Sequence, residues 1–166
     1  TITIQDKKKR QHKIKLAGID APEPGQAFYQ RAQEFLSTQA IGQTVVVEGQ
    51  GYDRNGHLIG KLLVGGRDMS LEMLISGFAW HFKEYAPRQT DRDRQLYESA
   101  EFYARKAKFN LWSDPAPIAP WQFDPSKPAA TAASATVPKP LEMVPLADTS
   151  KQAKPASEMP AAPLSR

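Results

Sequence analysis

The sequence predicts a mainly β, α+β fold: a small Greek-key barrel of OB type with helices packed on it. Three observations support this. Short runs with strand periodicity and β-branching dominate the first third of the chain. Turn signals built on Gly and Asn separate those runs. Apolar residues at helical spacing lie between and after them, as expected for helices packed on a curled sheet.

The elements follow in order. Thr1-Ile2-Thr3-Ile4 alternates polar and apolar side chains, the pattern of a half-buried strand. Lys7-Lys8-Lys9-Arg10 reads as a solvated charged turn, and Lys13 to Ile19 as a second strand completing a hairpin. From Gln26 to Ile41 the period changes. Phe28, Ala32, Phe35, Leu36 and Ala40 form one helical stripe, which Gly42 ends. Thr44 to Val47 and His57 to Val64 are strands, the second entered through the turn Tyr52 to Gly56. Asn55-Gly56 favours that turn because both residues tolerate positive φ. A short helix fits Ser70 to Ser76. A longer one fits Asp91 to Lys108, with Leu96, Ala100, Tyr103, Ala104 and Ala107 on one face. Its acidic start and basic end suit the helix dipole.

With 166 residues the chain has room for one domain and a tail. The composition changes near Phe123. Residues 124–166 are rich in Pro, Ala, Ser and Lys and lack aromatic side chains, so they cannot bury enough apolar surface to offset their ordering entropy. Residues 1–123 are therefore expected to form the domain and 124–166 a Pro/Ala-rich disordered tail. The absence of cysteine excludes disulfides, thiolate metal sites and a cysteine nucleophile. A net charge of +4 and a pI near 9.3 fit a polyanionic partner without demanding one. No apolar run approaches the roughly 18 residues of a membrane span.

The strongest chemical signal is Leu16-Ala17-Gly18-Ile19-Asp20-Ala21-Pro22-Glu23. An apolar strand ends in two carboxylates three residues apart, with Pro22 stiffening the backbone between them. Two hard oxygen donors at a rigid strand end suit Ca²⁺ or Mg²⁺. The same two residues could instead cap a turn and the following helix, and spacing alone leaves both readings open. Lys83, Arg54, Lys61 and Arg88 are candidates for an electrostatic groove, against the ordinary reading of solvated surface charges. Trp80, His81 and Phe82 read mainly as core, and Trp112 as an anchor for the end of the long helix.

Four blocks occur in this order: KIKLAGIDAPEPGQAFYQRAQEFL, YDRNGHLIGKLLVGG, LEMLISGFAWHFKEYA and RKAKFNLWSDPAPIAPW. Together they resemble the staphylococcal nuclease (thermonuclease-like) family over essentially all of residues 1–123. The resemblance implies a five-stranded OB-type barrel with three helices, its N-terminal strand truncated. It also implies Ca²⁺-dependent endonuclease cleavage of phosphodiester bonds in DNA and RNA. By the family pattern, Asp20 is a calcium ligand, Ala21 lends the metal its backbone carbonyl, and Glu23 orients or deprotonates the attacking water. Tyr85 matches a tyrosine near the nucleotide. Three positions depart from the pattern. Thr1 resembles the threonine of an Asp-Gly-Asp-Thr block, so the aspartate expected there would precede it. Lys15 and His57 stand where the family has arginines contacting the phosphate. Arginine presents a planar, permanently charged fork, lysine a compact point charge, and histidine a single hydrogen bond when neutral. An impaired nuclease and a non-catalytic nucleic-acid- or protein-binding OB module are both compatible with these departures. The resemblance further implies a secreted or periplasmic protein, and a monomer without a membrane partner is expected.

Overall fold

The computed structural model describes residues 1–126, so the expected tail lies outside the described residues except at Asp124 to Ser126. The chain forms an α+β fold with a five-stranded mixed sheet and three main helices. In order these are β1 (Ile2–Gln5), β2 (Gln11–Leu16), β3 (Ile19–Asp20), α1 (Tyr29–Ala40), β4 (Val45–Tyr52), β5 (Leu58–Val64), β6 (Arg67–Asp68), α2 (Met69–Ile75), β7 (Trp80–His81) and α3 (Asp91–Lys106). Short 3-10 turns lie at Lys83–Arg88, Asn110–Ser113 and Pro120–Gln122.

The sheet runs β1-β2-β5-β4, with β6 also paired to β5, while β3 and β7 form a separate two-stranded ladder. The expected hairpin is present: β1 pairs antiparallel with β2, and Asp6 closes the turn by accepting the amides of Lys8 and Arg10. β2 then pairs parallel with β5, matching Ile14 with Leu58, Lys15 with Ile59 and Leu16 with Gly60. β4 runs antiparallel to β5 and shifts register between Gly49 and Gly51, a bulge that bends the strand. Among the described residues no ladder joins β1 to β4, although Thr1 to Ile4 and Thr44, Val45 and Val47 all line one groove.

The core follows the pleat. Ile14 of β2 is buried, and Leu16 of β2 with Leu62 and Val64 of β5 packs with Ala32 and Leu36 of α1, Met69, Met73 and Leu74 of α2, and Tyr97 and Ala100 of α3. A second cluster joins Trp80, Ala104, Leu111, Trp112 and Ala119, which is the anchoring expected of Trp112. Trp80 and His81 are both buried, as expected, and Phe82 is half-buried.

Two helices differ from expectation. α1 begins at Tyr29, not Gln26, because Phe28 adopts left-handed backbone (φ 65°) and Gln26 belongs to the preceding turn. The buried face of α3 is Tyr97, Ala100, Glu101 and Ala104, whereas Leu96 and Tyr103 are exposed. Polar partners explain the rotation. The Tyr97 hydroxyl donates to Asp68 at 2.6 Å, and Glu101 accepts the His81 amide at 3.1 Å. Asp68 also caps α2 by accepting the Ser70 and Leu71 amides, which ties α2 and α3 to one carboxylate. No helix among the described residues is long and apolar enough to cross a membrane.

Gly60 sits where β5 passes closest to β4: an added Cβ would stand 2.8 Å from the Glu48 carbonyl oxygen and 3.0 Å from a Val47 methyl. Because one of these contacts is backbone, Gly60→Ala is expected to destabilise the fold by about 1–3 kcal/mol. Urea unfolding checks this as a lower midpoint at an unchanged m-value.

Candidate active site

The groove is assembled from two separated stretches of chain. Alternation along β2 buries Ile14 and Leu16 and leaves Lys15 exposed. The parallel register places Lys15 opposite Ile59, and His57, two residues earlier on the neighbouring chain, projects to the same side. The Ala17 amide extends this ladder by one bond to the Gly60 carbonyl, at 3.0 Å.

At Gly18 the chain changes partners. Its φ of +74° turns the backbone away from β5, and its carbonyl accepts the Phe82 amide at 3.0 Å. That positive φ is what favours glycine here, and an added Cβ would also crowd the Gln89 side-chain nitrogen and the Tyr97 ring. Beyond it, Ile19 pairs with His81 and Asp20 with Trp80. Asp20 thus leaves a short ladder whose far strand is buried, and Ala21, the buried Pro22 and the exposed Glu23 carry the chain out.

Lys15, Asp20, Ala21, Glu23 and His57 all line this groove, together with Thr1, Asp53 and Asn55. Asp20 is half-buried. Burial pushes its carboxyl above the usual range, the charge of Glu23 adds to that rise, and Lys15 opposes it. Asp20 therefore sits in a partly desolvated corner where the charge of Lys15 compensates incompletely for burial and for the neighbouring Glu23. Among the described residues no set of three or more His, Cys, Asp or Glu side chains is arranged to hold a metal. The donors present are Asp20, Glu23 and the Ala21 carbonyl, all hard oxygens. Such a set fits an oxygen-seeking cation that fills its remaining positions with water or substrate, and it offers nothing to a thiolate-seeking one.

The five binding candidates lie outside the groove lining. The Tyr85 hydroxyl donates to Gln50 at 2.8 Å beside the β4 bulge, with the Arg88 guanidinium 5.5 Å from its ring. Lys61 donates to Asp93 at 2.8 Å and lies 3.8 Å from Asp68. Lys83 contacts His81 Nδ1 at 2.8 Å and lies 3.7 Å from both Glu98 and Glu101. Arg54 is exposed on the turn between β4 and β5.

Two polar residues join the site that the pattern reading did not single out. Asp53 accepts the Asn55 and His57 amides through Oδ1, and its Oδ2 lies 3.1 Å from His57 Nδ1. One carboxylate therefore caps the turn and orients the imidazole, and these bonds hold the Asp53 carboxyl below its usual range. Its spacing of four residues from His57 was the available signal. The other is Gln26, whose side-chain carbonyl accepts the Glu23 amide at 2.9 Å.

Comparison with known proteins bears on this arrangement. Residues 13–114 match the family described as staphylococcal nuclease homologue. A protein of Shigella flexneri named micrococcal nuclease is 34% identical over 128 residues, covering 72% of this chain and 71% of that protein. An uncharacterized endonuclease of Haemophilus influenzae is 32% identical over 123 residues, covering 74% of this chain and 66% of its own length. An uncharacterized 38.1 kDa protein of Capnoides sempervirens is 33% identical over 118 residues, 71% of this chain but only 33% of that longer protein. The family match runs through both stretches that build the groove, from Lys13 past His57, and the chain belongs to the staphylococcal nuclease family.

Proposed function

We propose that this chain is a Ca²⁺-dependent phosphodiesterase that cuts DNA and RNA internally, using a nuclease domain of residues 1–123 closed as an OB-type barrel. The observation that carries the reading is the convergence of Asp20, Glu23, Lys15 and His57 on one groove from two segments of a staphylococcal nuclease family domain. Relatives named micrococcal nuclease and endonuclease support the reaction class.

Asp20, the Ala21 carbonyl and Glu23 are the groups that would hold the cation. When bound, calcium supplies positive charge against the phosphate oxygens. Glu23 accepts a proton from the attacking water, which adds at phosphorus as the bond to the leaving oxygen breaks. Lys15 offsets the negative charge that gathers on the phosphoryl oxygens. His57, held at Nδ1 by Asp53, presents Nε2 to the phosphate or to the leaving oxygen, to which it can donate a proton. Tyr85, Arg54, Lys83 and Lys61 are assigned to the flanking nucleic-acid surface. Tyr85 offers a half-buried ring beside Arg88 on which a base could stack, while Lys61 must be released from Asp93 before it can contribute.

In a plasmid-nicking assay, cleavage is expected to require calcium, and Glu23→Gln is expected to lower it by about 10²–10⁴-fold. The pair Lys15→Arg with His57→Arg is expected to raise the rate by roughly 10²–10³-fold, because each replaces a weaker donor with a bidentate one. If neither the natural nor the arginine-bearing chain cuts, and both still retain oligonucleotide, the protein is a binding module and the enzyme reading is wrong.

Stability gives a further check in calcium-free buffer. The folded Asp20 carboxyl is raised above its unfolded value, so its ionised form opposes folding above that raised value. The opposition disappears as pH falls below the unfolded carboxylate range near about 4. Asp20→Asn should therefore melt at a higher temperature at neutral pH, lose that advantage in acid, and no longer take up calcium in calorimetry.

A further inference from the structure

Glu23 is exposed, and among the described residues its carboxylate accepts no hydrogen bond and joins no ion pair. Whatever fixes its position must act through the backbone. Pro22 restricts the chain before it. Behind it stands Gln26, a polar side chain only 9% exposed. Both ends of that side chain are used: Oε1 accepts the Glu23 amide at 2.9 Å, and Nε2 donates to the Ile118 carbonyl. The Gln26 amide itself donates back to the Glu23 carbonyl at 2.9 Å, closing the turn.

Ile118 lies in a strap that also contains Pro115, Pro117 and Pro120, whose fixed φ angles limit its freedom. The strap is seated independently of Gln26. Ala119 is buried in the Trp80–Trp112 cluster, the Trp121 ring lies 5.7 Å from that of Phe82, and the Phe123 ring backs Gly25. It begins where the family match ends, at residue 114.

The geometry points to Gln26 as a positioning residue that locks the Glu23 turn to this strap, so that the carboxylate meets its water in one orientation. This role rests on the nuclease reading of Glu23. A buried amide that satisfies one backbone donor and one backbone acceptor 92 residues away is a rigid cross-link between the acidic turn and the end of the domain. Displacement of a catalytic group by about 1 Å can cost about 10²-fold in rate.

The test uses Gln26→Met, which fills the same space without hydrogen bonds, and Gln26→Glu, which keeps the acceptor for the Glu23 amide but at neutral pH has no donor for Ile118. Amide hydrogen exchange by NMR reads the clamp, and steady-state cleavage of an oligonucleotide with calcium reads its consequence. In Gln26→Met the Glu23 amide should exchange at least ~10-fold faster while amides of β2 and the middle of α1 are unchanged. The value of kcat should fall by about 10–10²-fold with KM within about twofold. Gln26→Glu should fall between the natural chain and Gln26→Met in both readouts, and it carries the test if the Met variant does not fold. Unchanged Glu23 exchange overturns the clamp. Faster exchange with unchanged kcat, or a loss that follows the global melting temperature, overturns the positioning role. If the natural and arginine-bearing chains are both inert with calcium, the nuclease reading fails and takes this role with it. The exchange data still report whether the turn is held.

Discussion

The parallel pairing of residues 14–16 with residues 58–60 is the constraint on which the rest of the molecule depends. It decides core and groove in one step. With this register Ile14 and Leu16 face the interior while Lys15 and His57 share the opposite side. A slip of one residue would drive Lys15 into the core and expose two buried aliphatic side chains. The ladder also carries the chain as far as Gly18, where the change of partner from β5 to β7 delivers Asp20 to the groove. Gly60 makes the arrangement possible because no side chain fits between β5 and the Glu48 carbonyl.

The acidic groups fall into two contrasting classes. Asp68 is saturated: it caps α2, accepts the Tyr97 hydroxyl and lies near Lys61, which is itself paired with Asp93. That cluster joins β5, β6, α2 and α3, and its charges are consumed by the fold. Burial and the neighbouring Asp68 charge accordingly push the Tyr97 hydroxyl far above its ordinary range and keep it a donor. Asp20 and Glu23 are the opposite case: neither carboxylate joins an ion pair among the described residues, and burial, with the charge of Glu23, raises the Asp20 carboxyl against the opposing charge of Lys15. Carboxylates left without an ion pair at a groove rim remain open to chemistry in a way that the consumed Asp68 cluster does not.

Much of this was legible in the sequence where the determining forces are local. Alternation located β1, β-branching located β4, the Asn55-Gly56 turn marked the entry to β5, and the stripe through Ala32, Leu36 and Ala40 located α1. The acidic pair could be read because it sits beside its own strand, and Lys15 and His57 because each occupies a recognisable block. What escaped depends on distant partners. The two-residue strands β3 and β7 are too short to carry a period and exist through each other. Tyr97 and Glu101 face inward on α3 because Asp68 and His81 await them there, so a stripe chosen by hydrophobicity selected Leu96 and Tyr103 instead. Lys61 reads as a free surface cation until Asp93, 32 residues on, is brought against it. Gln26 looks like one more polar loop residue, since nothing near it in sequence reveals the carbonyl of Ile118.

That last contact also bears on the order in which the molecule becomes whole. Synthesis proceeds from the N-terminus, and local pairings form before distant ones. The β1–β2 hairpin needs the chain only as far as Leu16 and the parallel ladder only as far as Gly60. The turn carrying Glu23 gains its far tether only when residue 118 has been made and seated. A growing chain therefore owns its sheet, its lysine and its acidic corner well before that corner is braced, and the last stretch of the domain to be translated is the one that finishes it.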